Sequence, residues 1–254
     1  MPQQKSIPPY LSYTPRSAKL QLRDRISQEI DNNQSVFPGK SHGFFPQNCV
    51  AKFINEGAIR EELPADAISN LPDKDRARIL NFIRVRAPKV FAIATICFND
   101  QDRLWYVMAC FEYQSFEDSC LPQDPRVAGE GDWAEAFPND LWYPYERRTF
   151  YDRQWEFITP IFTKQDYEYQ FEVDHILPVT WKHPKVSRGG FSVVSQVEIH
   201  PAHWGHLYKR VRQYHFLRNW VLLLTLRLRS PSKRFLLKRV PSALKLNGTM
   251  KQAY

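Results

Sequence analysis

Acidic side chains are missing from the last 56 positions of the chain. All 27 aspartates and glutamates lie at or before Glu198, while 12 of the 35 lysines and arginines fall from Ile199 to Tyr254. The first 198 residues therefore hold 23 basic groups against 27 acidic ones, and the formal charge of +8 belongs to the tail. At the whole-chain frequency the tail would carry about 6 acids, because an ordinary surface mixes both signs. Its composition fits a basic interaction tail or a reading frame disrupted beyond His203. Long apolar runs are missing too. The opening MPQQKSIPPY has none, which excludes a secretory signal there. The most apolar window, WVLLLTLRL at 220–228, falls far short of the ~20 residues that span a bilayer. It reads as a buried strand or short helix, and no membrane span is expected.

Cysteine is scarce, and no C-x-x-C pair occurs among Cys49, Cys97, Cys110 and Cys120. The expectation is a reduced intracellular protein, cytoplasmic or nuclear, whose thiols are buried as small apolar groups. Glycine is scarce as well, 9 against 19 prolines, so irregular connections should be common. What is present suffices for a core: 43% hydrophobic and 14% aromatic residues exclude a disordered composition.

Residues 1–16 are proline-rich and read as a disordered N-terminus. A helix fits 17–32, with Ser17 as cap and Leu22, Ile26 and Ile30 on one face. NCVAKFINEGAIREEL is a second helix, with Val50, Phe53 and Ile54 on one stripe and a break near Gly57. PDKDRARILNFIRVRA is a third, buried through Ile79, Leu80 and Ile83, solvated through Arg76, Arg84 and Arg86, and ended by Pro88. KVFAIATICF and LWYVMACFEY fit a buried strand or a buried helix equally. Residues 121–145 read as a long exposed loop with aromatic anchors. YERRTFYDRQWEFITPIF is helical, packs through Phe150, Trp155, Phe157 and Ile158, and stops at Pro160. Beyond Tyr167 the pattern alternates, and YQFEVDHILPV and FSVVSQVEIH read as strands.

The segment VSRGGFSVVSQVEIHP, 186–201, has two readings. Gly189 and Gly190 can supply a hairpin turn. They can also belong to a phosphate cradle, where glycine lets the backbone approach the ligand. Protein kinases use G-x-G-x-x-G-x-V between antiparallel strands for this purpose. In that frame Gly189 takes the second glycine position, Phe191 the aromatic at the tip and Val194 the valine. Ser187 and Ser192 occupy the first and third glycine positions.

The flanks carry a resemblance. FYDRQWEFITPIF, HILPV and GGFSVVSQVEIHPAH are similar, in this order, to segments of a group of fungal serine/threonine protein kinases. There a helical extension precedes Q-W-x-F-x-x-P-x-F, an I-L-P-F-like strand and G-G-F-G-x-V-x-x-V-x-I-H-P-x-H. The matching residues are Gln154, Trp155, Phe157, Pro160, Phe162, Ile176, Leu177, Pro178 and 189–203, and the likeness covers about 17–204. It implies an α+β chain: a mainly helical region, 17–165, then the start of a kinase-like N-lobe sheet, 166–204, and a basic tail, 205–254, degenerate or disordered. It implies ATP and magnesium as cofactors. Gly189, Gly190 and Phe191 would approach the phosphates, and Val194 would cover the base.

The rest of the family's machinery is lacking. LTLRLRSPSK resembles the segment that carries the ATP-holding lysine, with Arg227 at that position; FLLKRVPSALKLNGT resembles the helix that carries its glutamate partner, with Arg239 nearby. Arginine's planar fork does not replace lysine there, and two arginines repel. No H-R-D-x-x-x-x-N and no D-F-G occurs. The reading is thus a truncated kinase, inactive alone, with no catalytic residue assigned. The alternative is a non-enzymatic interaction or scaffold protein that docks a protein partner through the helical region, or a pseudogene product. Weaker readings complete the list. VDHILP resembles the start of an HNH nuclease motif without correctly spaced partners. His200, His203 and His206 have zinc-like spacing without a cysteine or acid nearby, so no metal ligand is assigned. Tyr208, Tyr214, Phe216 and Trp220 interleave with Arg210, Arg212 and Arg218, yet nucleic acid is not the expected partner. Ser230 and Ser232 of RSPSK could be phosphorylated, a match common by chance.

Overall fold

A computed structural model describes residues 21–36, 43–64, 72–126, 133–163, 168–171, 174–189, 192–205, 222–226 and 235–239. Helix α1, Leu22–Asn32, buries Leu22, Ile26 and Ile30, as its spacing predicts. Gln21 precedes it, and Ser17 lies outside the described residues. The second predicted helix is two: α2, Gln47–Phe53, and α3, Glu56–Glu62. The break falls at Ile54–Asn55 rather than at Gly57. Asn55 caps α3 by accepting the Ala58 N–H at 3.0 Å, a role its short polar side chain favours. Helix α4, Asp73–Asn81, widens into a π turn at Phe82–Arg86, with Ile79, Leu80 and Ile83 buried.

Pro88 ends that element and begins the next. The ambiguous run KVFAIATICF is helix α5, Pro88–Cys97. Proline suits the first helical position, where an N–H would be unsatisfied anyway. The Asp118 carboxylate accepts the next two N–H groups, Lys89 and Val90, each at 3.0 Å. Burial pushes this carboxyl up to about 6 despite those donors. Every residue from Val90 to Cys97 is buried, because α1, α2, α6 and α7 surround the helix. LWYVMACFEY falls in α6, Gln101–Gln114, capped by Asp100. Leu104, Val107, Met108 and Phe111 face the core while Tyr106 and Tyr113 face solvent. Helix α7, Pro144–Gln154, stops well before Pro160. The loop expected at 121–145 has its aromatic anchors: Phe137 and Trp142 are buried, while Arg126, Asn139, Asp140 and Tyr145 are exposed. The Phe137 and Trp142 rings join Phe98, Phe111, Phe116 and Phe150 in one aromatic cluster.

The second layer is an antiparallel sheet. Among the described residues its strands are β1, Glu168–Phe171; β2, Val179–Gly189; β3, Ser192–Ile199; β4, Leu222–Leu226; and β5, Phe235–Arg239, in the order β1-β5-β4-β3-β2. The chain is therefore α+β. Two expectations for the tail change here. Residues 205–254 are not wholly degenerate, since β4 pairs with β3 and β5. Phe235–Arg239, matched above to a helix, is a strand, held by ladder bonds to β4 on one side and β1 on the other. Phe162, Phe171, Leu177, Val179, Val197 and Ile199 form the core beneath the sheet. Among the described residues no helix is long and apolar enough to cross a membrane.

Candidate functional site

The glycine segment lies at the tip of the β2–β3 hairpin. Gly189 pairs with Ser192, so two residues, Gly190 and Phe191, connect the strands; both lie outside the described residues. Val194 is in register with Ser187 on one side and Thr225 on the other. The backbone thus brings Gly189 and Val194 into one hairpin, with β4 beside it. Arg227 lies outside the described residues, and Arg239 is the last residue of β5.

At the other end of the hairpin, the residues that carried the resemblance meet. Residues 33–36 and 43–45, between α1 and α2, form a strap in which Phe44 N–H donates to Asn33 O at 3.0 Å and Gln34 bridges Gly43. A β-carbon at Gly43 would lie 2.5 Å from Ile30 Cγ2, so the strap can pass there only as glycine. Val36 N–H donates to Val179 O at 2.8 Å, Ser35 Oγ–H to Leu177 O at 2.6 Å, and Phe45 N–H to Glu156 O at 2.8 Å. Phe44, fully buried, sets its ring edge-on to His200 and His203, with centroids 5.5 and 5.3 Å away. Phe162 N–H donates to His203 O at 2.8 Å, and His200 N–H to Pro178 O at 2.8 Å. Gln154 clamps the Gln123 backbone, accepting its N–H and donating to its carbonyl, both at 2.8 Å. Sequence reasoning missed the strap entirely. Its one available signal was Gly43 beside two phenylalanines in SHGFFP.

The weaker readings meet ordinary packing. His175 stacks edge-on to Trp155 at 5.2 Å, and Asp174 accepts the Tyr151 hydroxyl at 3.3 Å, which occupies the nuclease-like pair. His200 Nδ1 accepts the Ala202 N–H at 3.2 Å. His203 Nδ1 lies 3.1 Å from Pro160 O. His206 lies outside the described residues. Cys49 and Cys97 are buried, and burial raises both thiols, Cys49 to about 11, which removes thiolate nucleophilicity. Among the described residues no cluster of three metal-ligating side chains occurs.

Two buried ionisable groups flank the junction. Burial pushes His203 down to about 4, and its Nε2 has no partner among the described residues. Burial pushes Glu156 up to about 7, although Arg153 Nη1 donates to its Oε1 at 2.8 Å. A raised carboxyl pKa means that the folded state holds the proton more tightly than the unfolded state. Folding stability from Glu156 therefore falls as pH rises from about 4.5 to about 7. His203 acts oppositely, lowering stability as pH falls from 6.5 to about 4. Glu156→Gln removes one side of this opposition. Its stability relative to the parent should rise by on the order of 2 kcal/mol between pH 4.5 and 7, measured by urea denaturation across that range. Parallel pH profiles for the two proteins would refute the burial effect.

The chain matches no protein-family model, no curated protein and no solved structure.

Proposed function

We propose that this chain is the opening of a serine/threonine protein kinase, a helical extension joined to an incomplete nucleotide-binding lobe. In this reading Gly189, Gly190 and Phe191 approach the phosphates of ATP, and Val194 covers the base. The observation that carries it is the strand arrangement around the glycine segment. A phosphate loop must close between two antiparallel strands, and its lysine strand must lie alongside so that one side chain can reach beneath the loop. The two-residue connection after Gly189 falls between the second and third positions of the glycine frame. Strand β4, where the lysine-like segment begins, runs beside β3 with Thr225 opposite Val194.

Magnesium does not fit the residues present. The 254 residues hold neither the D-F-G aspartate nor the catalytic-loop asparagine that carry it in kinases. Kinase chemistry is positioning and electrostatic stabilisation of the transferring phosphoryl group, and these residues supply no base for it. On this reading they hold nucleotide weakly and transfer no phosphate.

Thermal unfolding with and without Mg-ATP tests the proposal. Bound nucleotide raises the midpoint, and further with each increase in nucleotide concentration above its dissociation constant. Gly189→Ala should weaken binding about tenfold, because a side chain there keeps the backbone from the phosphates. No shift for the parent protein, with the helical region folding normally, would favour the scaffold reading instead.

A further inference from the structure

We propose that the strap formed by residues 33–36 and 43–45 is a register clamp, setting which residues reach the tip of the β2–β3 hairpin. Strand β2 lies at the edge of the described sheet, with β3 as its strand neighbour. Pairing between the two shifts twice, between Val179 and Trp181 and between Lys182 and Val186. At each shift the residues of one strand outnumber those opposite, which weakens the ladder's own resistance to β2 sliding along β3 as a whole. A slip of one residue would exchange the two faces of the strand and move Gly189 off its place opposite Ser192.

The register is pinned from outside the hairpin. Val36 N–H holds Val179 O at 2.8 Å, the residue that opens the ladder opposite Ile199. Ser35 Oγ–H holds Leu177 O two residues earlier, at 2.6 Å. The Phe44 ring, wedged edge-on against His200 and His203, fixes the chain where β3 ends. Both strands are thus gripped at their base by a segment that precedes them by over 130 positions. The helical extension is on this view a positioning element of the glycine hairpin rather than a detachable domain.

The nucleotide consequence rests on the kinase reading; the clamp itself does not. Val36→Pro deletes the N–H bonded to Val179 at a half-exposed position, and Ser35→Ala deletes the bond to Leu177. Amide hydrogen exchange on the full chain reads the result. In either variant, exchange across 187–194 should accelerate about three- to tenfold, the effect of one lost hydrogen bond, while α5 and α6 keep parental rates. Unchanged exchange in the hairpin, or equal acceleration in the helices, would overturn the clamp. Mg-ATP stabilisation should shrink in the same variants. Its absence in the parent, with the exchange effect present, would remove the kinase reading and leave the clamp standing.

Discussion

Trp142→Ala should destabilise the protein by about 3–5 kcal/mol, the range for deleting a large buried aromatic. Trp142 is 1% exposed and sits at the centre of the ring cluster. Its indole lies 4.7 Å from Phe98, 4.9 Å from Phe137, 5.6 Å from Phe150 and 5.9 Å from Phe111, centroid to centroid. The partners come from the end of α5, from α6, from α7 and from the connection before α7, so no single element can move to refill the space. Interiors are close-packed, and a hole bordered by four rings keeps much of its volume. Trp142→Phe should cost far less, since it keeps a ring and removes an indole N–H that has no partner among the described residues. Urea denaturation of the three proteins decides the matter. A loss under about 1 kcal/mol for the alanine variant would show that the cluster repacks.

Glu146→Ala should cost about 3 kcal/mol, because one side chain both ties two helices together and closes the first turn of one of them. Its carboxylate accepts both terminal nitrogens of Arg103, at 2.8 and 2.7 Å, which ties α7 to α6. It also accepts the Tyr143 N–H at 2.8 Å and so closes the first turn of its own helix. Glu146 is 1% exposed. Arg103 is partly solvated and lies 4.4 Å from the Tyr143 ring centroid, so its stranded charge retains some compensation. That keeps the loss near the lower end of the range for broken buried pairs. Glu146→Gln retains an acceptor for Tyr143 but not the charge opposite Arg103, and should fall between parent and alanine. Equal stability of the glutamine variant and the parent would mean that hydrogen-bond geometry, not charge, holds the pair.

The α1 stripe was legible because Leu22, Ile26 and Ile30 recur at a helical period with polar residues between. The glycine turn and β3 were legible because FSVVSQVEIH alternates directly after two glycines. The extent of β2 was not: the strand expected over YQFEVDHILPV ends at Val179, where β2 begins. Helix α5 was not, because burial on every side erases periodicity, and only its neighbours distinguish it from a strand. The connection at 121–145 was legible as a loop with aromatic anchors, and Phe137 and Trp142 are the anchors it inserts into the core. The apolar window at 220–228 marked a strand or short helix, and Leu222–Leu226 is a strand. Phe235–Arg239 joins the sheet through backbone hydrogen bonds, which charge composition does not register.

The sequence by itself determined the amphipathic helices, the position of the glycine turn and the lack of kinase catalytic motifs, because each is written within a window of a few residues. Only the tertiary structure decided that the strap reaches Leu177 and Val179, and that His203 lies buried against Pro160 and Phe44. Those contacts join residues more than 40 positions apart, and three of the four end on a backbone carbonyl, which every residue carries alike. No residue pattern marks which of them will meet. Packing settles it, with Phe44 buried against Trp155 and Ile176.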